Sequence, residues 1–225
     1  MNAPYREEFI TRHRDLINPT ALARKIVIVG AGAIGSFVAL SLAKMGYHNL
    51  HVYDFDTVET ENIGAQFFSV ESIGKKKVVA LQEMVLQFTG IQIYAYDYRI
   101  LKEDVVDTDI LISAVDSMEV RTLLANNSNC NWLIDPRMGA EYATMSTVKM
   151  ANVDAYTDYK KTLFTDSEAV QERCTAKTTI YTVLLIAGEV VKAVKDITME
   201  QEPITALDWN IKQNAMLAFS NGRKL

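Results

Sequence analysis

The stretch Lys25–Gly35, KIVIVGAGAIG, decides the fold. Lys25 to Val29 is a β-branched run, and Gly30 ends it, as expected of a strand buried on both faces. Gly30-Ala31-Gly32-Ala33-Ile34-Gly35 is then a G-x-G-x-x-G between a strand and a helix. Such glycines permit a tight turn and let the backbone approach a phosphate, while the first turn of the helix offers free N–H groups. In this context the pattern predicts a bound nucleotide, with Gly30, Gly32, Ala33, Ile34 and Gly35 around its phosphates. The alternative is a glycine turn that serves only close packing.

Working outward, Ala33–Met45 reads as a helix closed at Gly46, and Asn49–Asp54 as a second strand. Asp54 falls about 20 residues past the glycines, where a dinucleotide fold keeps an acid for ribose hydroxyls. Glu71–Gln87 predicts a helix, Ile91–Tyr98 and Asp109–Ala114 strands, Ser117–Asn126 a helix and Asn131–Asp135 a strand. This alternation predicts an α/β fold, a Rossmann-like and mostly parallel sheet flanked by helices. After Pro136 the pattern changes. Glu141–Met150 reads as an antiparallel strand, residues 151–173 as a polar loop and Thr175–Val194 as an apolar helix. Ile204–Phe219 supplies one or two further antiparallel strands. Residues 1–24 read as an N-terminal helical arm, closed near Asn18-Pro19, and 25–225 as a single domain.

Bulk properties exclude several functions. A net charge of −5 gives no electrostatic reason for a nucleic-acid partner. The apolar run Tyr181–Ala187 is broken by Gly188 and Glu189, far short of the roughly 20 residues that span a bilayer. The N-terminus carries charges and no apolar signal segment, so the expected location is cytoplasmic and away from membranes. The two cysteines, Cys130 and Cys174, form no C-x-x-C pair and predict neither a disulfide framework nor a zinc site.

The segment after Asp54 separates NAD from ATP. Asp54-Phe55-Asp56-Thr57-Val58-Glu59-Thr60-Glu61-Asn62-Ile63-Gly64-Ala65-Gln66 resembles the D-x-D-x-V-x-x-x-N-x-x-R-Q stretch of the ThiF/MoeB/HesA family, relatives of the ubiquitin-activating enzymes. Gly74-Lys75-Lys76-Lys77-Val78-Val79-Ala80 resembles its G-x-x-K-V-x-x-A. Asp116 after the strand DILISAV, Arg121 beyond it, and Glu172-Arg173-Cys174-Thr175 before an apolar helix match in order. The resemblance covers roughly residues 9 to 196 and is far more specific than the glycine loop alone.

The resemblance implies an ATP-dependent adenylyltransferase. A carboxylate, often the C-terminus of a ubiquitin-like or sulfur-carrier protein, attacks the α-phosphate of ATP; pyrophosphate leaves and an acyl-adenylate remains. On this scheme the glycines shape the ATP pocket, Asp54 holds the ribose and Asp56 orients the pocket. Asn62 and Gln66 contact the nucleotide, Lys77 neutralises phosphates and Asp116 holds Mg²⁺. Cys174 is the family's candidate for thioester transfer. Arg12 would reach a partner subunit's ATP site, with Arg6 or Arg14 as substitutes, which implies a homodimer. A tRNA substrate also occurs on this scaffold.

Single residues keep plainer readings. Asn62 can be a turn residue, the three lysines a solvated helix start and Asp116 the cap of the next helix. Cys174 and Cys130 can simply pack. Ala65 departs from the family, which has a phosphate-binding arginine there; Lys75 or Lys76 could take its place. Two other functions therefore stand beside the first: an NAD(P)-dependent oxidoreductase and a catalytically weakened nucleotide-binding dimer.

Overall fold

The computed structural model describes residues 11, 15–164, 179–220 and 222–224. Strand β1 (Ile26–Val29) is buried along its whole length. Its alternating side chains feed two cores: Ile26 and Ile28 on one face, Val27 and Val29 on the other. From β1 the chain runs through α1 (Ala33–Lys44) to β2 (Leu50–Asp54), then through α2 (Lys77–Thr89) to β3 (Tyr94–Asp97). It returns to the other side of β1 with β4 (Val106–Ser113), α3 (Met118–Asn127) and β5 (Ser128–Gly139). These five strands are parallel, in the order β3-β2-β1-β4-β5. The order reverses between β1 and β4, and a crevice outside the carboxyl ends of the strands is expected there.

From β5 onward the sheet is antiparallel. Strands β6 (Tyr142–Lys149), β7 (Ala206–Asn210), β8 (Ala215–Ser220) and β9 (Arg223–Lys224) complete a nine-stranded sheet. The mixed architecture agrees with the sequence reading, and its antiparallel part is nearly as extensive as its parallel part. Helix α5 (Ile180–Thr198) packs against α1, burying Val183, Ile186, Ala187, Val190 and Val194.

Several elements differ from expectation, among them β3, which starts at Tyr94 rather than Ile91, and β4, which starts at Val106 rather than Asp109. The helix expected from Glu71 begins at Lys77. Gly74 sits at φ +86°, and Lys76 forms an antiparallel bridge with Thr57, so the preceding backbone is turned and then extended. Strand β5 runs from Ser128 rather than Asn131, because its polar start pairs with Val106–Thr108. The stretch 151–173, expected as loop, contains helix α4 (Val153–Lys160). Only one side of α4 is apolar enough to pack, and Tyr159 is its buried residue. That sparse pattern is hidden in a polar composition. Asn152 starts the helix by accepting a hydrogen bond from Ala155 N–H at 3.1 Å. Of the N-terminal arm, the described residues include a 3-10 turn at Pro19–Ala23, capped by Asn18 and anchored by Ala21 and Leu22.

If α4 is held by its cap, Asn152→Ala should lower the unfolding free energy by about 1 kcal/mol in urea titration. A loss below a few tenths of a kcal/mol would contradict the capped helix.

Candidate functional site

The site is built where β1, β2 and β4 end. Gly30 adopts φ +98°, and a Cβ there would overlap the Ala114 carbonyl at the end of β4. A Cβ on Gly35 would overlap the Gly30 carbonyl. These two glycines are demanded by the approach of α1 to the strand ends. Gly32 is different: a Cβ there would meet nothing within 4 Å. It is also the N-cap of α1, and no side chain caps that helix. The first-turn amides of Ala33, Ile34 and Gly35 therefore receive no side-chain cap, and the space beside Gly32 is open. An uncapped helix start of this kind suits a phosphate or another anion.

Asp54, the last residue of β2, braces this loop. Its Oδ2 accepts from Ala31 N–H at 2.7 Å and its Oδ1 from Asp56 N–H at 2.8 Å. Each oxygen retains a second lone pair, so a ribose hydroxyl can still donate to it. Asp56 in turn takes the Lys77 ammonium at 2.8 Å. Lys77 is the lysine that turns inward, being 8 % exposed. Lys75 pairs with Glu83 at 2.7 Å, and Lys76 with Asp97 at 3.1 Å and the Phe55 carbonyl at 2.8 Å. Both pairs are exposed, and exposed pairs of this kind are worth about 1 kcal/mol or less, so either lysine can exchange its partner for a bound phosphate.

Between these residues runs the loop Glu59–Phe68. Asn62 Oδ1 accepts from Glu59 N–H at 2.9 Å and closes a 3-10 turn, as its plainer reading expected. Phe67 N–H donates to Ser36 Oγ at 2.9 Å, which fastens the loop to α1. Gln66 Oε1 is buried and has no hydrogen-bond partner among the described residues. A buried acceptor of that kind calls for a donor that the protein does not supply.

Asp116 lies just beyond β4 and is exposed. It is not the helix cap: Ser117 Oγ accepts from Val120 N–H at 3.4 Å and performs that task. Among the described residues no group of three or more His, Cys, Asp or Glu could hold a metal ion. A lone carboxylate still fits Mg²⁺, which is commonly held by one or two carboxylates together with substrate phosphates and water.

Behind Asp116 lies a buried polar cluster. Arg121, 5 % exposed, donates to the carbonyls of Ser113 and Pro136 at 3.2 and 3.1 Å, to the Val115 carbonyl and to Asp135. Burial, then the neighbouring Arg137, pushes its guanidinium pKa down to about 10. The sequence reading named Arg121 and missed Asp135, Arg137 and Tyr159. The available signal was Asp135-Pro136-Arg137, two charged residues directly after the apolar Trp132-Leu133-Ile134.

A cavity of about 660 Å³ lies elsewhere, around Asp109, Trp132 and Lys149 toward the opposite end of the parallel strands. Cys130 lines it, half-buried, with a thiol pKa raised by burial. Arg12 and Cys174 lie outside the described residues, as do Arg6 and Arg14. No helix among the described residues is long and apolar enough to cross a membrane.

Known proteins share these features. The ThiF family pattern matches residues 19–221. The NEDD8-activating enzyme E1 catalytic subunit of Arabidopsis thaliana is 29 % identical over 143 residues, 56 % of this chain and 31 % of that protein. Ubiquitin-like modifier-activating enzyme 5 of Dictyostelium discoideum is 28 % identical over 160 residues, 55 % of this chain and 42 % of that protein. The match thus spans less than half the length of these curated relatives. Among solved structures, E. coli MccB with ATP superposes with a TM-score of 0.76 at 18 % identity, covering 99 % of this chain and 73 % of that one. PaaA gives 0.73 at 15 % identity, covering 98 % and 84 %. At such identities the likeness establishes the fold alone.

The two kinds of glycine can be told apart by stability. Gly35→Ala should cost about 3 kcal/mol, because backbone must move to admit the methyl group. Gly32→Ala should cost less than about 1 kcal/mol, the loss of a glycine N-cap. Equal losses in urea unfolding would refute the distinction.

Proposed function

Because this chain belongs to the ThiF family, we propose that it activates a carboxylate by adenylation with ATP. The observation that carries this reading is the open backbone at Gly32 and the uncapped start of α1, beside Asp54 and the buried Lys77. The relatives named as activating enzymes, and an MccB structure obtained with ATP, support the choice of nucleotide.

In this reading a substrate carboxylate oxygen attacks the α-phosphorus of ATP, the bond to the β-phosphate oxygen breaks and pyrophosphate leaves. The protein's task is to hold the groups in line and neutralise charge. Gly30, Gly32, Ala33, Ile34 and Gly35 cradle phosphates on the amides of α1. Asp54 orients the ribose while bracing the loop. Asp56 holds Lys77, whose ammonium counters the phosphates. Gln66 offers its orphaned amide oxygen to the nucleotide, and Asn62 keeps the loop closed beside it. Asp116 holds Mg²⁺, which supplies charge neutralisation on the polyphosphate.

The carboxylate fits best as the C-terminus of a ubiquitin-like or sulfur-carrier protein, since the relatives act in modifier activation by name. Transfer to Cys174 would follow by attack of its thiolate on the acyl-adenylate, forming a thioester and releasing AMP. The working form is a homodimer with Arg12 reaching the neighbouring site, and residues 25–225 act as one domain. A weaker enzyme is favoured by one observation: Ala65 brings no cation of its own.

ATP–pyrophosphate exchange, run with a panel of small carrier proteins ending in glycine, tests this. Exchange should depend on one of them. Lys77→Met and Asp116→Asn should each lower it by roughly a hundredfold or more, comparable to loss of a preorganised charge-stabilising donor. Ala65→Arg should raise it. Absence of both exchange and ATP binding, with tight NADH binding instead, would refute the adenylation reading.

A further inference from the structure

Asp135 lies near the middle of β5 and is 1 % exposed. Its two carboxylate oxygens serve two different parts of the molecule. Oδ1 accepts from Arg121. Oδ2 accepts from Arg137 Nε and Nη2 at 2.9 and 2.7 Å, and from the Tyr159 hydroxyl at 3.0 Å.

Each arginine then reaches onward. Arg121 donates to the carbonyls of Ser113 and Val115, which flank Ala114 at the strand end from which Asp116 projects. Arg137 donates to Thr162 carbonyl O and Oγ1 at 2.9 and 3.0 Å. Tyr159 belongs to α4, and Thr162 follows it. Thr162 Oγ1 also donates to the Tyr159 carbonyl at 2.8 Å, so this side of the cluster is itself closed.

Such a cluster is an inefficient way to gain stability. Arg121 and Asp135 lose their hydration and Arg137 loses part of its own, and apolar residues of similar volume often do as well or better. What the arrangement provides is direction. Every acceptor around Arg121 is a fixed point of backbone or the Asp135 carboxylate, so the path of the chain into Asp116 follows the position of Arg121. That position is in turn tied through Asp135 to Arg137, Tyr159 and Thr162.

We propose that Asp135 is a positioning residue that couples the Asp116 loop, through Arg121, to the α4–Thr162 stretch, through Arg137 and Tyr159. The coupling rests on the reading of Asp116 as the residue that holds Mg²⁺ with ATP. It makes the geometry at Asp116 depend on contacts made at α4, in the part of the sequence that leads toward Cys174.

Tyr159→Phe and Thr162→Val test it. Each removes hydrogen bonds on the far side of the cluster without touching Asp116 or the glycine loop. Hydrogen exchange at the amides of Ala114–Met118, measured without nucleotide, should accelerate at least about tenfold, while amides of β1 keep their protection. The Mg²⁺ concentration for half-maximal ATP binding should rise about threefold or more, with little change in binding at saturating Mg²⁺. Arg137→Lys, which keeps the charge and loses the fork, should show the same two changes.

Unchanged exchange at Ala114–Met118 in folded variants would overturn the coupling. Faster exchange with an unmoved Mg²⁺ midpoint would overturn its bearing on Asp116. A wild-type chain that binds no ATP in Mg²⁺ overturns the nucleotide reading instead. That failure is distinguishable, because the exchange measurement needs no nucleotide.

Discussion

Helix α1 can begin where it does because Gly30 and Gly35 carry no side chains. The Gly30 backbone lies against the end of β4, and the Gly35 backbone against Gly30 itself. A methyl group at either position would push α1 away from β1 and β4. The consequences spread from that contact. Helix α1 covers β1 and packs against α5, so the larger of the two cores closes around it. Its N-terminus is held over the point where the strand order reverses. The loop between strand and helix is then tight enough for Asp54 to reach Ala31 N–H from the end of the neighbouring strand.

The polar groups around this contact divide into two kinds. Asp54, Ser36 and the Glu59–Asn62 turn are engaged with backbone amides and hold loops in place. Gln66 Oε1 has no hydrogen-bond partner among the described residues, a Cβ on Gly32 would meet nothing within 4 Å, and Asp116 is exposed. The second kind lines the proposed nucleotide path. Lys77 stands between them: paired with Asp56 and buried, it is preorganised rather than solvated like Lys75. A preorganised cation avoids reorganisation at the moment of reaction, which is the usual source of electrostatic catalysis.

The Lys25–Gly35 stretch was legible because its geometry is a local demand. Only glycine tolerates φ +98° with a carbonyl pressed against its α-carbon, and the β-branched run before it has few other uses. The parallel direction of the first five strands followed from the same alternation. What escaped was set by partners distant in sequence. Lys75–Lys77 looks like the first turn of a helix until Thr57 pairs with Lys76 and draws the backbone straight. Helix α4 was hidden because one buried tyrosine and one asparagine cap suffice for it once β5 and α3 provide a surface. Asp135 could not be joined to Arg121 from spacing alone, since β5 must fold beside β4 before they meet. At Asp116 the sequence left cap and ligand open, and Ser117 takes the cap.

The most direct measurement of the central claim is a crystal structure of the chain with Mg²⁺ and a non-hydrolysable ATP analogue. The polyphosphate should lie over Gly32 on the first-turn amides of α1. The ribose should sit at Asp54, Lys77 should reach a phosphate oxygen, and the ion should touch Asp116. A nucleotide seated instead in the cavity around Trp132 and Lys149, or a glycine loop left empty at saturating analogue, would contradict it.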